Sequence, residues 1–235
     1  MLASLRRGLS AGAVGGLLAG AFGFLLAEPL MDRAVDLEAA RSAAAGETGG
    51  VETFTRNTQH VGFLVATLAV GLAFGVLYGV IHALLHRDDT SDAWARALRL
   101  GGAAFFGLAL VPFLRYPSNP PGVGDAATLD SRTHVWEVSL VIGVVGVCFA
   151  ALVARGLRER GIASPWRHLA VVGILAGTIA LTFVLPNNTD AIEAPVHLIW
   201  DFRLLSLATM VILWGGLAAT FGLLVERAAR RTGSV

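Results

Sequence analysis

The sequence predicts an all-α protein, a polytopic transmembrane helix bundle of about six spans, on three observations. Of its 235 residues, 55% are hydrophobic and 15% are charged, with a mean hydropathy of +0.67, a balance too apolar for one water-soluble core. The apolar residues gather into runs near 9–31, 61–85, 98–114, 135–154, 168–186 and 202–225, each close to the ~20 residues a helix needs to cross the hydrocarbon layer. All 18 basic residues are arginine, and they crowd alternate ends of those runs. Backbone groups in lipid find no water to bond, so such runs must be helices. What lies between them is too scattered for a second domain, and 1–235 reads as a single integral membrane domain.

The first run opens behind Arg6 and Arg7 and carries Gly12, Gly16 and Gly20 at four-residue spacing. That spacing lines up a ridge without side chains, along which a neighbouring backbone approaches closely. Its basic start and a small-residue site near Ala27 also suit a cleaved signal peptide, but its length and glycine pattern favour a retained span ending at Glu28-Pro29. The second run follows His60, repeats the ridge with Gly71, Gly75 and Gly79, and closes on His82 and His86. Those two histidines have the i, i+4 spacing of a metal pair, and we read them as a solvated helix end. Asp88, Asp89, Thr90, Ser91 and Asp92 then solvate the loop and cap the third run. Arg96 and Arg99 open that run, which stops at Arg115-Tyr116-Pro117. The fourth run holds the single cysteine, Cys148, a small apolar packing residue that rules out an intramolecular disulfide. Gly173 and Gly177 give the fifth a shorter ridge before Leu185-Pro186, and the sixth closes on Arg227, Arg230 and Arg231.

Taken in pairs, the runs suggest three pseudo-repeated helical hairpins. Each even run begins at a histidine (His60, His134, His197), and each odd run ends in a proline-bearing segment. Such a plan sets three imidazoles at one membrane level, as transporters built from repeats do for a substrate site. With the N-terminus in the cytoplasm, twelve of the 18 arginines lie inside; Arg33, Arg41, Arg56, Arg115, Arg132 and Arg203 lie outside. The positive-inside bias therefore places both termini in the cytoplasm.

Carboxylates run the opposite way. Glu28, Asp32, Asp36, Glu38, Glu47, Glu52, Asp125, Asp130, Glu137, Asp190, Glu193 and Asp201 all fall at the outer face, which therefore attracts cations. The pairs His134/Glu137 and His197/Asp201, three and four residues apart, put an imidazole and a carboxylate on one helical face, the spacing of a metal ligand and its supporting partner. Glu28 and Asp32, also four apart, sit at the end of the first run, where the helix dipole is already negative. They need a metal ion there, or an arginine such as Arg33 or Arg203. The candidate metal residues are thus His60, His134, His197, Glu28, Asp32, Glu137 and Asp201. Imidazole and carboxylate without thiolate suit Co(II), Ni(II), Zn(II), Mn(II) or Fe(II), and ligand type alone does not choose among them.

The loop after the third run reads Arg115-Tyr116-Pro117-Ser118-Asn119-Pro120-Pro121-Gly122-Val123-Gly124-Asp125, and its prolines hold it extended rather than helical. With Glu28-Pro29 behind a glycine-rich first helix and Trp200-Asp201-Phe202-Arg203-Leu204-Leu205-Ser206-Leu207 opening the last, the chain resembles, over nearly its whole length, the CbtA family of proposed cobalt transporter subunits. Tyr116, Pro117, Asn119, Pro120, Pro121, Gly124 and Asp125 match the family's loop motif, with no ligand role attached; Ser118 and Gly122 stand where that pattern leads one to expect alanine. The resemblance implies a bacterial inner-membrane protein for cobalt uptake, linked to cobalamin synthesis and paired with CbtB, a small histidine-bearing membrane partner.

The function expected is uptake of a divalent transition metal, with Co(II) or a similar ion as cargo and no cofactor held permanently. The partners expected are the bilayer, the metal ion and the histidine-bearing protein; a net charge of +1 gives no reason to expect nucleic acid. The alternative is a membrane scaffold that stabilises another subunit without transporting. An enzyme is disfavoured by the absence of His-Glu-x-x-His, of Gly-x-Ser-x-Gly and of a pair of polar residues at mid-helix, and without a Walker phosphate loop the chain is not expected to hydrolyse ATP itself.

Overall fold

The computed structural model describes residues 1–46, 54–85, 92–187, 190 and 194–231. Glu47, Glu52, His86, Asp88, Asp89, Thr90, Ser91 and Glu193, which figure in the sequence reading, lie outside the described residues. Among the described residues, six helices are long and apolar enough to cross a membrane: α1 (Leu2–Ala44), α2 (Arg56–Leu85), α3 (Ala93–Arg115), α4 (Leu129–Glu159), α5 (Ser164–Thr182) and α6 (Val196–Arg231). They bear the six predicted runs in order. Many apolar side chains point away from the interior, Leu152 with 69% and Leu169 with 61% of its surface exposed, as expected where hydrocarbon is the surrounding solvent.

Helix ends depart from the runs in an instructive way. The first helix does not stop at Pro29. Gly23–Ala27 forms a π-helical turn in which the Glu28 amide donates to the Gly23 carbonyl, and an α-helix resumes to Ala44. Proline has no N–H and its ring collides with the carbonyl four residues back, so a locally widened helix accommodates it without a break. The same device recurs in α3, where Phe106–Leu110 is π-helical, the Val111 amide donates to the Phe106 carbonyl, and Pro112 follows. The sixth helix starts at Val196 and so takes His197, Asp201 and Arg203 into its first turns.

The chain divides into two compact units. One comprises Met1–Gly102, Asn119–Gly122 and Ala194–Val235. Here α1 packs along both α2 and α6. The α1–α2 seam is glycine against glycine: a β-carbon on Gly12 would lie 2.9 Å from the Gly71 carbonyl carbon and from the Gly75 Cα, and one on Gly16 2.7 Å from the Thr67 oxygen. The predicted ridges therefore meet, with Gly8 in line as a further member. Residues 93–102 of α3 dock on α6, where Trp94 and Ala97 cover Gly222. Asp92 caps α3 as predicted, accepting the Ala95 amide at 2.9 Å. His82 is a correction: it is buried, its ring 4.8 Å from that of Phe221, and Tyr78 beside it donates to the Ala97 carbonyl. The helix runs against α6 at that level, and an imidazole there is covered rather than solvated.

The second unit comprises Ala103–Ser118 and Val123–Glu193. In it α4 packs on α5 and on the second half of α3. Gly107 of α3 meets Gly143 of α4, and Thr178 of α5 fills the space over Gly146. Gly173 and Gly177 are a second correction, because a β-carbon on either meets nothing within 4 Å. Cys148 also lies on an exposed face, so it is not a packing residue of this unit. The first two hairpins of the repeat plan hold as neighbours, whereas α5 and α6 belong to different units.

Candidate metal centre

Thr55 precedes α2 and receives the Thr58 amide on Oγ1 at 3.4 Å, so the helix starts with Arg56 and carries Arg56 and His60 four residues apart on one face. The first helix, continuing past its π turn, presents Glu28 and Asp32 at the same spacing. Leu30, Ala34 and Leu37 on its other side bury against Leu198, Phe202 and Leu205 of α6, which turns the two carboxylates towards α2.

Two i, i+4 pairs thus face each other. His60 Nε2 lies 3.1 Å from Glu28 Oε2 and 3.8 Å from Asp32 Oδ1. Glu28 is the most enclosed of the four side chains, 12% exposed. Arg56 Nη2 is 3.1 Å from Glu28 Oε2 and also bonds to Asp32, while its Nε donates to Asp32 Oδ1 at 2.9 Å. Nη1 of the same arginine is held by Gln59 Oε1 at 2.5 Å. Phe24, from the π turn, sets its ring edge-on to His60 at 5.7 Å. Glu28, Asp32 and His60 each offer a ligand atom within 4.8 Å of the others, the one such group of three found among the described residues.

The arginine that answers the carboxylates is neither Arg33 nor Arg203. Arg203 instead donates to Asn119 Oδ1, at 2.7 Å from Nη2. Glu28 and Asp32 do not stand at a helix end either, since α1 runs on to Ala44, and so they do not face the negative end of its dipole. The sequence reading points to Arg33 and Arg203 instead, because it looks for the answering arginine beside the carboxylates and on the last helix, not on the second. The four-residue spacing of Arg56 and His60 was the available signal.

The other predicted ligands are not members of this group. His134 and Glu137 are paired with each other at 3.4 Å on α4, with His134 77% exposed; His197 and Asp201 are exposed on the first turns of α6. Among the described residues, neither pair joins a group of three.

The sequence profile of the family described as "Probable cobalt transporter subunit (CbtA)" matches residues 3–226. The chain belongs to the CbtA family. The comparisons with curated proteins and with solved structures found no match. As a CbtA chain with six candidate spans, it is a multi-pass membrane protein of a transporter-subunit family.

In this CbtA chain the motif loop is not helical between Tyr116 and Asp125, and it turns at Pro121 and Gly122. Tyr116, ahead of Pro117, leaves helical geometry with φ −136° and ψ 80°. Asn119 anchors Arg203, and the Gly122 carbonyl accepts from Arg41 at 3.4 Å. Pro120 is buried and Pro121 half-buried. Gly122 and Gly124 have φ +69° and +105°, a region that disfavours any β-carbon, so alanine at 122 would be strained. Asp125 is a cap, accepting the Ala127 amide on Oδ1 at 2.9 Å. Asp190 Oδ2 accepts from Thr128 Oγ1 at 2.7 Å and from the Asp125 amide at 3.2 Å. Carboxylates that the sequence offered as cation attractors thus include two that hold this loop.

Proposed function

We propose that the protein takes up a divalent transition metal, cobalt in keeping with its family, across the bacterial inner membrane, and that Glu28, Asp32 and His60 capture the ion at the outer face. The observation that carries this reading is the convergence of two carboxylates and an imidazole from two helices within ligand distance of one another. Oxygen and nitrogen donors without thiolate suit a borderline divalent ion, and ionisable groups at membrane depth mark ion pathways by default. The arginine distribution supports cytoplasmic termini. His134, Glu137, His197 and Asp201, all exposed, serve as collecting positions that raise the local concentration of cations. A small histidine-bearing membrane protein of the CbtB kind is the proposed partner, and the reading is one of transport rather than catalysis.

The test is accumulation of labelled cobalt in cells expressing the full chain, with and without that partner. A Glu28→Gln, Asp32→Asn, His60→Ala variant, expressed to the same level, is expected to fall to the uptake of empty cells. His134→Ala with His197→Ala is expected to lower uptake only at limiting cobalt. Wild-type uptake by the triple variant would remove the site assignment, and no uptake by the wild type beside its partner would remove transport.

A further inference from the structure

The cluster of Glu28, Asp32 and His60 already holds a cation belonging to the chain. One nitrogen, Nη2 of Arg56, lies 3.1 Å from Glu28 Oε2 and 3.4 Å from His60 Nε2, and donates to Asp32 Oδ1. It therefore touches one potential ligand atom from each of the three side chains. A dication bonded to those atoms at about 2.0–2.2 Å, the range for imidazole and carboxylate ligands on zinc, takes over the three contacts that this nitrogen now makes. We propose that Arg56 is a resident counter-cation that an incoming divalent metal displaces, so that capture exchanges one cation for another and Arg56 sets how tightly the metal is held. This rests on the reading of the cluster as a metal site.

Three physical consequences support such an arrangement. Without metal, the guanidinium answers both carboxylates, so that they are not left without a counter-charge in the lipid layer. With metal, the displaced arginine stays tethered nearby and repels the ion, keeping binding weak enough for onward movement, which conduction through a site requires. A monovalent ion merely replaces one unit of charge with another, whereas a dication gains a full unit of attraction, so the exchange favours divalent over monovalent ions. Gln59, bonded to Arg56 Nη1, holds the arginine in the resting position.

The test uses the purified full chain in detergent, titrated with Co(II) alone. Arg56→Gln is expected to bind at least about tenfold tighter than the wild type, since a unit charge is removed within a few ångströms of the ion, while Arg56→Lys stays near the wild type. Metal-free Arg56→Gln is expected to melt lower than the wild type and to gain more in melting temperature from Co(II). A merely structural arginine would show the loss without the larger metal-dependent gain. Should Arg56→Gln not fold, Gln59→Leu, which loosens the arginine, is expected to tighten binding by roughly threefold. Equal or weaker binding by these variants, with binding lost in the Glu28, Asp32, His60 triple variant, would overturn the exchange and leave the site standing. Undiminished binding by the triple variant would remove the site itself and the exchange with it.

Discussion

Leucine in place of Gly75 is expected to drive α1 and α2 apart and abolish cooperative unfolding of the protein in detergent, whereas alanine at Gly173 is expected to leave the melting temperature unchanged. A β-carbon on Gly75 would stand 2.8 Å from the Gly12 Cα and 3.0 Å from its nitrogen. The obstruction is backbone, so no rotamer change relieves it; the helices themselves must separate. Even Gly75→Ala is expected to cost about 1–3 kcal/mol, the range for overpacking a well-filled interior. At Gly173 and Gly177 there is nothing within 4 Å to obstruct, and substitutions there should stay within about 0.5 kcal/mol of the wild type. Thermal melts of the four proteins in one detergent decide the matter. A loss at Gly173 as large as at Gly75 would mean that its face is covered in a way the described contacts do not include.

Arg115→Ala carries the second large effect. Arg115 is 9% exposed. Its Nε donates to the Thr182 carbonyl at 3.0 Å, and its Nη2 to the Leu185 carbonyl at 2.8 Å, to the Pro186 carbonyl and to Asn187 Oδ1 at 3.2 Å. These carbonyls close the C-terminal end of α5, where no further helix supplies donors and a cation is favoured by the helix dipole. Truncation would leave the buried Thr182 carbonyl and three partly buried acceptors without their charged donor, a loss of about 2–4 kcal/mol at the usual worth of hydrogen bonds to charged groups. Lysine is expected to recover less than half of the loss, because an ammonium cannot fan out over the same acceptors. Melting temperatures of the Ala and Lys variants against the wild type measure both; full recovery by lysine would show that charge alone matters.

The six spans were legible because lipid imposes one rule on every residue of a run, and a sum over about 20 residues tolerates local exceptions. The glycine ridge of α1 and α2 was legible for a related reason: small residues at four-residue spacing have one face whatever lies opposite. Whether anything lies opposite is a property of the partner, which is why Gly173 and Gly177 read alike and behave differently. His82 was misjudged on the same grounds, since burial at a helix end depends on Phe221, far away in sequence. At the candidate centre, Glu28, Asp32 and His60 were identified by residue type and by position along the runs. The group that joins them, Arg56, stands four residues from His60, and the sequence does not single it out over Arg33 and Arg203 because the pairing depends on how two helices face each other. Among the loop residues, Asn119 and Asp125 received roles only from their partners, Arg203 and the Ala127 amide.

The widened turn at Gly23–Ala27 amounts to one residue more than a regular helix would use between the membrane part of α1 and the segment bearing Glu28 and Asp32. Each residue turns an α-helix by about 100°, so deleting one there would restore ideal winding while swinging both acidic groups around the axis, away from His60. Loop lengthening elsewhere in the chain is mild by comparison. The tolerance of this protein for insertions and deletions should therefore be lowest in a stretch of ordinary apolar residues that touches no ion, because that stretch keeps the angular phase of the carboxylates.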